Sequence, residues 1–148
     1  MSAPLNKDAA LRLIRLGLEE DFTHGPDATT EATVDADAHL TAIVVPRTPG
    51  VVAGLDTVAW TMHEVSPDID VAVHAADGDL VAPGDRLATV SGPARSILSA
   101  ERTALNLLTY ASGIATRTHE WTRQLAGTGT RVRDSRKTLP GYCDLAKY

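Results

Sequence analysis

The spacing of apolar residues changes several times along the chain, and each change predicts an element. Ala10, Leu13, Ile14, Gly17 and Leu18 recur on one helical face, and Asn6 suits the cap, so a helix is expected from about Asn6 to Asp21. It ends on Glu19-Glu20-Asp21, where the helix dipole opposes negative charge. Acids so placed are either solvated, the commoner case, or held there for a function. Gly25-Pro26-Asp27 and Thr29-Thr30 then end any regular pattern. His39 to Pro46 reads as a strand, Pro49-Gly50 as a turn, and Val51 to Gly54 as a short extended piece. A second helix is expected from Asp56 to Val65, burying Val58, Ala59, Met62 and Val65. Three short β segments follow, Ile69 to Ala75, Leu80-Val81 and Arg86 to Val90, separated by the turn pairs Asp77-Gly78 and Pro83-Gly84.

From Ala94 to Ala126 the pattern is helical again, with an interruption expected at Ser112-Gly113. Its first half carries Ile97, Leu98, Ala100, Ala104, Leu105, Leu107, Leu108 and Ala111, an apolar face too broad for a surface helix. The second half carries Ile114, Thr118, Trp121 and Leu125, and Gly127 suits the residue just past the end. One polar stripe opposes the first half: Arg95, Ser99, Arg102, Asn106 and Thr109. It lacks the Lys and Glu of an ordinary wet face. The stripe is therefore expected to meet a site or a partner subunit, with a thin solvent edge as the alternative.

Beyond the helix, Arg131, Arg133 and Ser135 would share one face of a strand, and Val132 and Asp134 the other. Pro140-Gly141 turns the chain, and Tyr142 to Tyr148 begins another helix. An isolated strand is not a stable end to a fold. The expectation is a piece of a longer protein, or a chain that something else completes.

Composition adds boundaries. The chain has 148 residues, 43% of them hydrophobic and 22% charged, which fits one soluble domain with a core. No run approaches the ~20 apolar residues of a membrane span. The start, Met1 to Pro4, leads straight to Lys7 and Asp8 without the pattern of a secretory signal. The single cysteine, Cys143, excludes an internal disulfide and fits a reducing compartment, so a cytoplasmic protein is expected. Residues 1–94 carry five cations against fifteen acids, and residues 95–148 nine against four. That split argues against a broad nucleic-acid surface and favours a local anion site in the second part. The cluster Ser135-Arg136-Lys137-Thr138 suits such a site: arginine grips a carboxylate through two bonds, lysine adds a point charge, and hydroxyls add short hydrogen bonds. Taken alone, the same four residues fit a solvated basic turn or a kinase-type site.

Longer motifs in fixed order narrow the choice. E-R-T-A-L-N-L-L (Glu101 to Leu108), S-G-I-A-T (Ser112 to Thr116) and D-S-R-K-T-L-P-G (Asp134 to Gly141) together resemble the quinolinate phosphoribosyltransferases, also called carboxylating nicotinate-nucleotide pyrophosphorylases. Leu18 to Phe22, Gly25 to Thr30 and Asp77 to Asp85 agree with the same family. The similarity runs from about Leu11 to Tyr148 and covers about half of the family's length.

The resemblance implies an α+β fold. Residues 1–127 would form an N-terminal α/β sandwich including the long helical segment 94–126, and residues 128–148 the first strand and helix start of an α/β barrel, incomplete in this chain. It implies a homodimer in which each barrel's site is completed by the other subunit's sandwich. By motif, Arg102 would cross the dimer to a quinolinate carboxylate, and Ser135, Arg136 and Lys137 would bind substrate at the end of the first barrel strand. The implied reaction, a step of de novo NAD biosynthesis, joins quinolinate to phosphoribosyl pyrophosphate with Mg²⁺, giving nicotinate mononucleotide, CO₂ and pyrophosphate. No catalytic residue and no metal ligand is assigned in this chain, because the family's H-R pair, later lysine strand and acidic metal contacts fall outside the matched half. The chain alone is therefore expected to be inactive. Where the family commonly has P-G-L-R, this chain has Pro140-Gly141-Tyr142-Cys143, so one arginine is replaced near the site. The alternatives are a non-catalytic truncated paralogue that dimerises with or regulates a full-length enzyme, and a related phosphoribosyltransferase for another acid. A lipoyl- or biotinyl-type carrier would need a lysine at a hairpin tip, and Lys7, Lys137 and Lys147 all lie elsewhere.

Overall fold

The computed structural model describes residues 4–148. The elements in chain order are α1 (Lys7–Asp21), α2 (Ala28–Thr33), β1 (His39–Val44), β2 (Gly50–Val51), α3 (Leu55–Val65), β3 (Asp70–Val73), β4 (Leu80–Val81), β5 (Ala88–Pro93), α4 (Ala94–Gln124) and α5 (Cys143–Lys147). An antiparallel sheet of order β1-β5-β3 lies beside a small antiparallel pair, β2 with β4. This is the expected α+β architecture. Its sheet is open.

Two apolar clusters hold the layers. In the first, Val58 and Met62 of α3, Val90 of β5 and Ile97, Ala100 and Ala104 of α4 pack with Ile69 and Leu87. β5 alternates buried and half-buried along its whole length, because it is the central strand and turns alternate side chains toward the helices. Gly92 permits a close crossing there: a Cβ at this position would sit 2.8 Å from the carbonyl oxygen of Asp68. The second cluster joins Leu13 and Ile14 of α1, Leu107 and Ala111 of α4, and Leu145 of α5. The edge contact of Tyr110 with Tyr142, ring centres 4.9 Å apart, closes over it.

Most predicted elements are present, and three differences have physical causes. Asn6 caps α1 as expected, its side chain accepting from the amide of Ala9 at 3.2 Å. The Gly25 to Thr30 segment, expected to be irregular, runs into α2, which begins at Ala28. Asp27 starts that helix by accepting from the amide of Thr30 at 3.1 Å. A six-residue helix is too short to show a period, so the spacing of apolar residues did not reveal it.

The expected break at Ser112-Gly113 is absent: α4 runs unbroken from Ala94 to Gln124. A glycine in a helix costs about 1 kcal/mol, which tertiary bonds offset here. Ser112 accepts from the amide of Ala53 at 3.1 Å, and Thr116 accepts from the amide of Val51 at 2.8 Å. The amide of Val52, between them, bonds instead to Asp79 on the β4 side. Two hydroxyls one helical turn apart thus serve the free edge of β2 and the extended chain just after it, much as a neighbouring strand would.

The third difference is at Arg131 to Ser135, which forms no strand. A strand needs a partner to bond its amides and carbonyls, and among the described residues none lies beside this segment. It is exposed chain, tied down by an ion pair of 3.1 Å between Asp134 and Lys147 of α5. That pair raises the pKa of Lys147, chiefly through its hydrogen bond to Asp134.

Candidate functional site

Arg102 projects from the exposed side of α4, and one end of its guanidinium is held. Its Nη1 donates to Oδ1 of Asp21 at 2.9 Å, while Oδ2 of Asp21 accepts from the Thr103 hydroxyl at 3.1 Å. The Arg102 side chain is 74% exposed and that of Asp21 only 16%. Backbone packing makes this possible. Gly17, one turn before Asp21, lies so close to α4 that a Cβ there would be 2.9 Å from Cγ2 of Thr103. With no side chain at that point, the end of α1 settles against α4 and delivers Asp21 to Arg102.

The loop after α1 adds a second acid. Asp27, cap of α2, has its pKa lowered mainly by its hydrogen bonds from the Thr30 hydroxyl and amide, with a smaller contribution from the charge of Arg102. Arg95 anchors the other end of α2, donating from Nε and Nη2 to the carbonyl of Val34 at 2.9 and 2.7 Å. The polar stripe is therefore partly internal. Arg95 is used to hold α2, Arg102 is presented outward from an acidic mount, and Asn106 and Thr109 are exposed.

Ser135, Arg136 and Lys137 lie elsewhere. All three are exposed, and the Ser135 hydroxyl accepts from the amide of Lys137 at 3.3 Å, which makes a local turn. Ser135 and Lys137 line an open cavity of about 940 Å³, walled on the other side by Ile114, Thr118 and His119 of α4. Arg136 and Arg102 do not line it. Of the four residues predicted to bind substrate, the structure brings Ser135 and Lys137 to one cavity and sets Arg102 against Asp21. At its edge Tyr148 has a phenol pKa pushed up to about 12, by burial first and then by Asp77.

Asp21, which holds Arg102, is a candidate that sequence reasoning passed over. Its signal was an acid at the unfavourable end of a helix, four residues after a glycine and in the same motif as Phe22. Glu19 and Glu20 beside it are exposed, as the commoner reading expected. Cys143, expected from the motif to stand in place of an arginine, is an exposed free thiol at the start of α5.

The described residues contain no cluster of three or more His, Cys, Asp or Glu side chains able to hold a metal ion. No helix among them is long and apolar enough to cross a membrane.

Comparison with known proteins agrees with the motifs. Residues 27–112 match the model of the quinolinate phosphoribosyl transferase N-terminal domain. The chain is 46% identical over 144 residues to the carboxylating nicotinate-nucleotide pyrophosphorylase of Mycobacterium leprae, covering 95% of this chain and 50% of that protein. A probable enzyme of the same name from Bacillus subtilis is 33% identical, covering 84% of this chain and 43% of its own length. Among solved structures, the nicotinate-nucleotide pyrophosphorylase of Francisella tularensis superposes on the whole chain with a TM-score of 0.89 at 31% identity, using 53% of its own length. The chain spans about half the length of the curated relatives it matches. It belongs to the quinolinate phosphoribosyltransferase family, within which it corresponds to the N-terminal half.

Proposed function

We propose that this chain is the N-terminal part of an enzyme that forms nicotinate mononucleotide, CO₂ and pyrophosphate from quinolinate and phosphoribosyl pyrophosphate, in the cytoplasm, as a step of NAD biosynthesis. The observation that carries the reading is a family match over most of the chain joined to two separate groups of cations, Arg102 on the sandwich helix and Ser135 to Lys137 beyond it. In this reading residues 1–127 are the sandwich and residues 128–148 open the barrel. Arg131 to Ser135 would become its first strand once a second strand bonds it. A homodimer accounts for the separation: Arg102 of one subunit serves the cavity of the other.

The chemistry suits cations. Both substrates are polyanions, and fixed positive groups in a water-poor site orient them without reorganisation cost. Arg102 and Arg136 would grip the carboxylates of quinolinate, Lys137 would add charge, and Ser135 a hydrogen bond. The pyridine nitrogen attacks the anomeric carbon of the ribose as pyrophosphate departs. Loss of the adjacent carboxylate as CO₂ then leaves its electron pair on the ring carbon, where the pyridinium nitrogen stabilises it until a proton replaces the lost group. Mg²⁺ would accompany the diphosphate. The described residues hold no cluster of three or more His, Cys, Asp or Glu side chains for it. The 148-residue chain by itself is inactive in this reading.

Subunit complementation tests the proposal. In the complete enzyme, Arg102→Ala and Lys137→Ala homodimers should each be nearly inactive in forming nicotinate mononucleotide. Equal mixtures that exchange subunits at random contain about half heterodimers, each with one intact site, so activity should return to about a quarter of wild type. No recovery in a mixture whose heterodimers are seen by native mass spectrometry would place both residues in one subunit's site. A wild-type enzyme that makes no nicotinate mononucleotide would remove the function itself.

A further inference from the structure

We infer that Asp21 is a positioning residue for substrate: it fixes the guanidinium of Arg102 so that its remaining donors face the carboxylate of the acid substrate. The inference rests on the reading of Arg102 as a quinolinate-binding residue, and it adds a part for the acid at the end of α1.

Three observations converge on it. Asp21 uses both carboxylate oxygens, one for Nη1 of Arg102 at 2.9 Å and one for the hydroxyl of Thr103 at 3.1 Å, so its own orientation is set from two sides. Its side chain is only 16% exposed, whereas the arginine it holds is 74% exposed. A freely solvated surface pair would leave both partners mobile. Here the acid is fixed and the cation is presented. Finally, Gly17 allows α1 and α4 to approach within a distance that a methyl group would not tolerate, and this brings Asp21 to its two partners.

The geometry divides the work of the guanidinium. Arginine has five N–H donors in a planar fork. The hydrogen bond to Asp21 takes one from Nη1, and Arg102 makes no other hydrogen bond to the described residues. The rest of the fork is available to a ligand. Loss of Asp21 would leave the charge of Arg102 intact while freeing its rotamers, and freezing such a side chain on binding has an entropic cost equal to a few-fold to ten-fold in affinity. Asp21 also lowers the net positive charge at the site. Were that the larger effect, its removal would tighten binding of a dianion, and the experiment therefore has a definite sign.

The test uses the complete enzyme, assayed for nicotinate mononucleotide formation with both substrates varied. Asp21→Ala should raise KM for quinolinate about 3- to 10-fold, with KM for phosphoribosyl pyrophosphate and kcat close to wild type. Asp21→Asn, which has the same shape and retains one oxygen acceptor, should lie between. In an Arg102→Ala background, quinolinate affinity measured by calorimetry should not change further on replacing Asp21, since there is no guanidinium left to orient. If Asp21→Ala does not fold, Asp21→Asn with its double variant decides alone, with a smaller rise of the same kind expected. An unchanged or lower KM for quinolinate, an equal loss of affinity with and without Arg102, or a matching change for both substrates would overturn the inference. Those outcomes differ from failure of the proposed function, in which the wild-type enzyme itself forms no product.

Discussion

Thr116 and Ser112 provide the sharpest test of how α4 holds the small strand pair. Thr116→Val keeps the shape of the side chain and removes only the hydroxyl. Val51 is 7% exposed, and its amide donates to Thr116 at 2.8 Å. Without that oxygen the amide faces a methyl group. A buried donor left without a partner costs about 1–3 kcal/mol. Ser112→Ala should do the same to the amide of Ala53, which is 9% exposed. The two sites share one strand edge and one helix, so the double variant should lose less than twice the single loss. Urea unfolding of the 148-residue chain, followed by far-UV circular dichroism, would give the free energies. Hydrogen exchange should show faster exchange at Val51 in Thr116→Val and at Ala53 in Ser112→Ala. Stability within about 0.5 kcal/mol of wild type together with unchanged exchange at both amides would refute the view that hydroxyls replace a strand here.

Two further predictions concern charge. The lowered pKa of Asp27 means that its ionised form favours the folded state: the contribution is complete above the ordinary carboxylate value of about 4 and is lost as pH falls through the lower folded value. The amides of Ala28 to Thr33 should therefore lose exchange protection below about pH 4, and Asp27→Asn, which can still cap, should remove that dependence. Equal pH dependence in the variant would assign it to other acids. In the complete enzyme, Lys137→Ala or Arg136→Ala should weaken quinolinate binding by about 2–5 kcal/mol, the cost of removing one partner from an enclosed charge pair, as read by calorimetry. Unchanged affinity would make the cluster a solvated turn.

Legibility in the sequence followed the length and independence of each element. α1, α3 and α4 were visible because each repeats its apolar face over three or more turns, and a face that long must be buried somewhere. β1 was visible from its composition, although its burial alternates only between exposed and half-buried. α2 was not, since six residues carry no period and its stability comes from Asp27 at one end and Arg95 at the other, 68 positions apart in sequence. The expected break in α4 misjudged Ser112-Gly113 for a related reason. A glycine beside a serine lowers local helix propensity, but the serine is bonded to Ala53, 59 positions earlier. Long-range hydrogen bonds of this kind leave no local trace in a pattern of apolar spacings. The strand expected at Arg131 to Ser135 shows the converse. Its alternation is real, yet strand structure belongs to pairs of segments, and the alternation of one segment does not supply the other.

The candidate site was legible where charge is concentrated in a short stretch and illegible where contacts are assembled from opposite ends of the chain. Ser135, Arg136 and Lys137 adjoin one another, so their charge was apparent at once. The mount of Arg102 is built from Gly17, Asp21 and Thr103, of which the first two are more than 80 positions from the third. What the sequence did carry was a local conflict. A carboxylate at the C-terminal end of a helix is disfavoured by about 0.3–1 kcal/mol, and Asp21 stands where α1 ends. The guanidinium of Arg102 and the hydroxyl of Thr103 supply the opposing positive charge and donor that the helix end lacks. The conflict is resolved by the same contact that orients Arg102. A misplaced charge that is half-buried and paired, rather than solvated like Glu19 and Glu20, is thus a better guide to a candidate site than the exposed arginine itself, because an exposed arginine needs no explanation and a sequestered acid does.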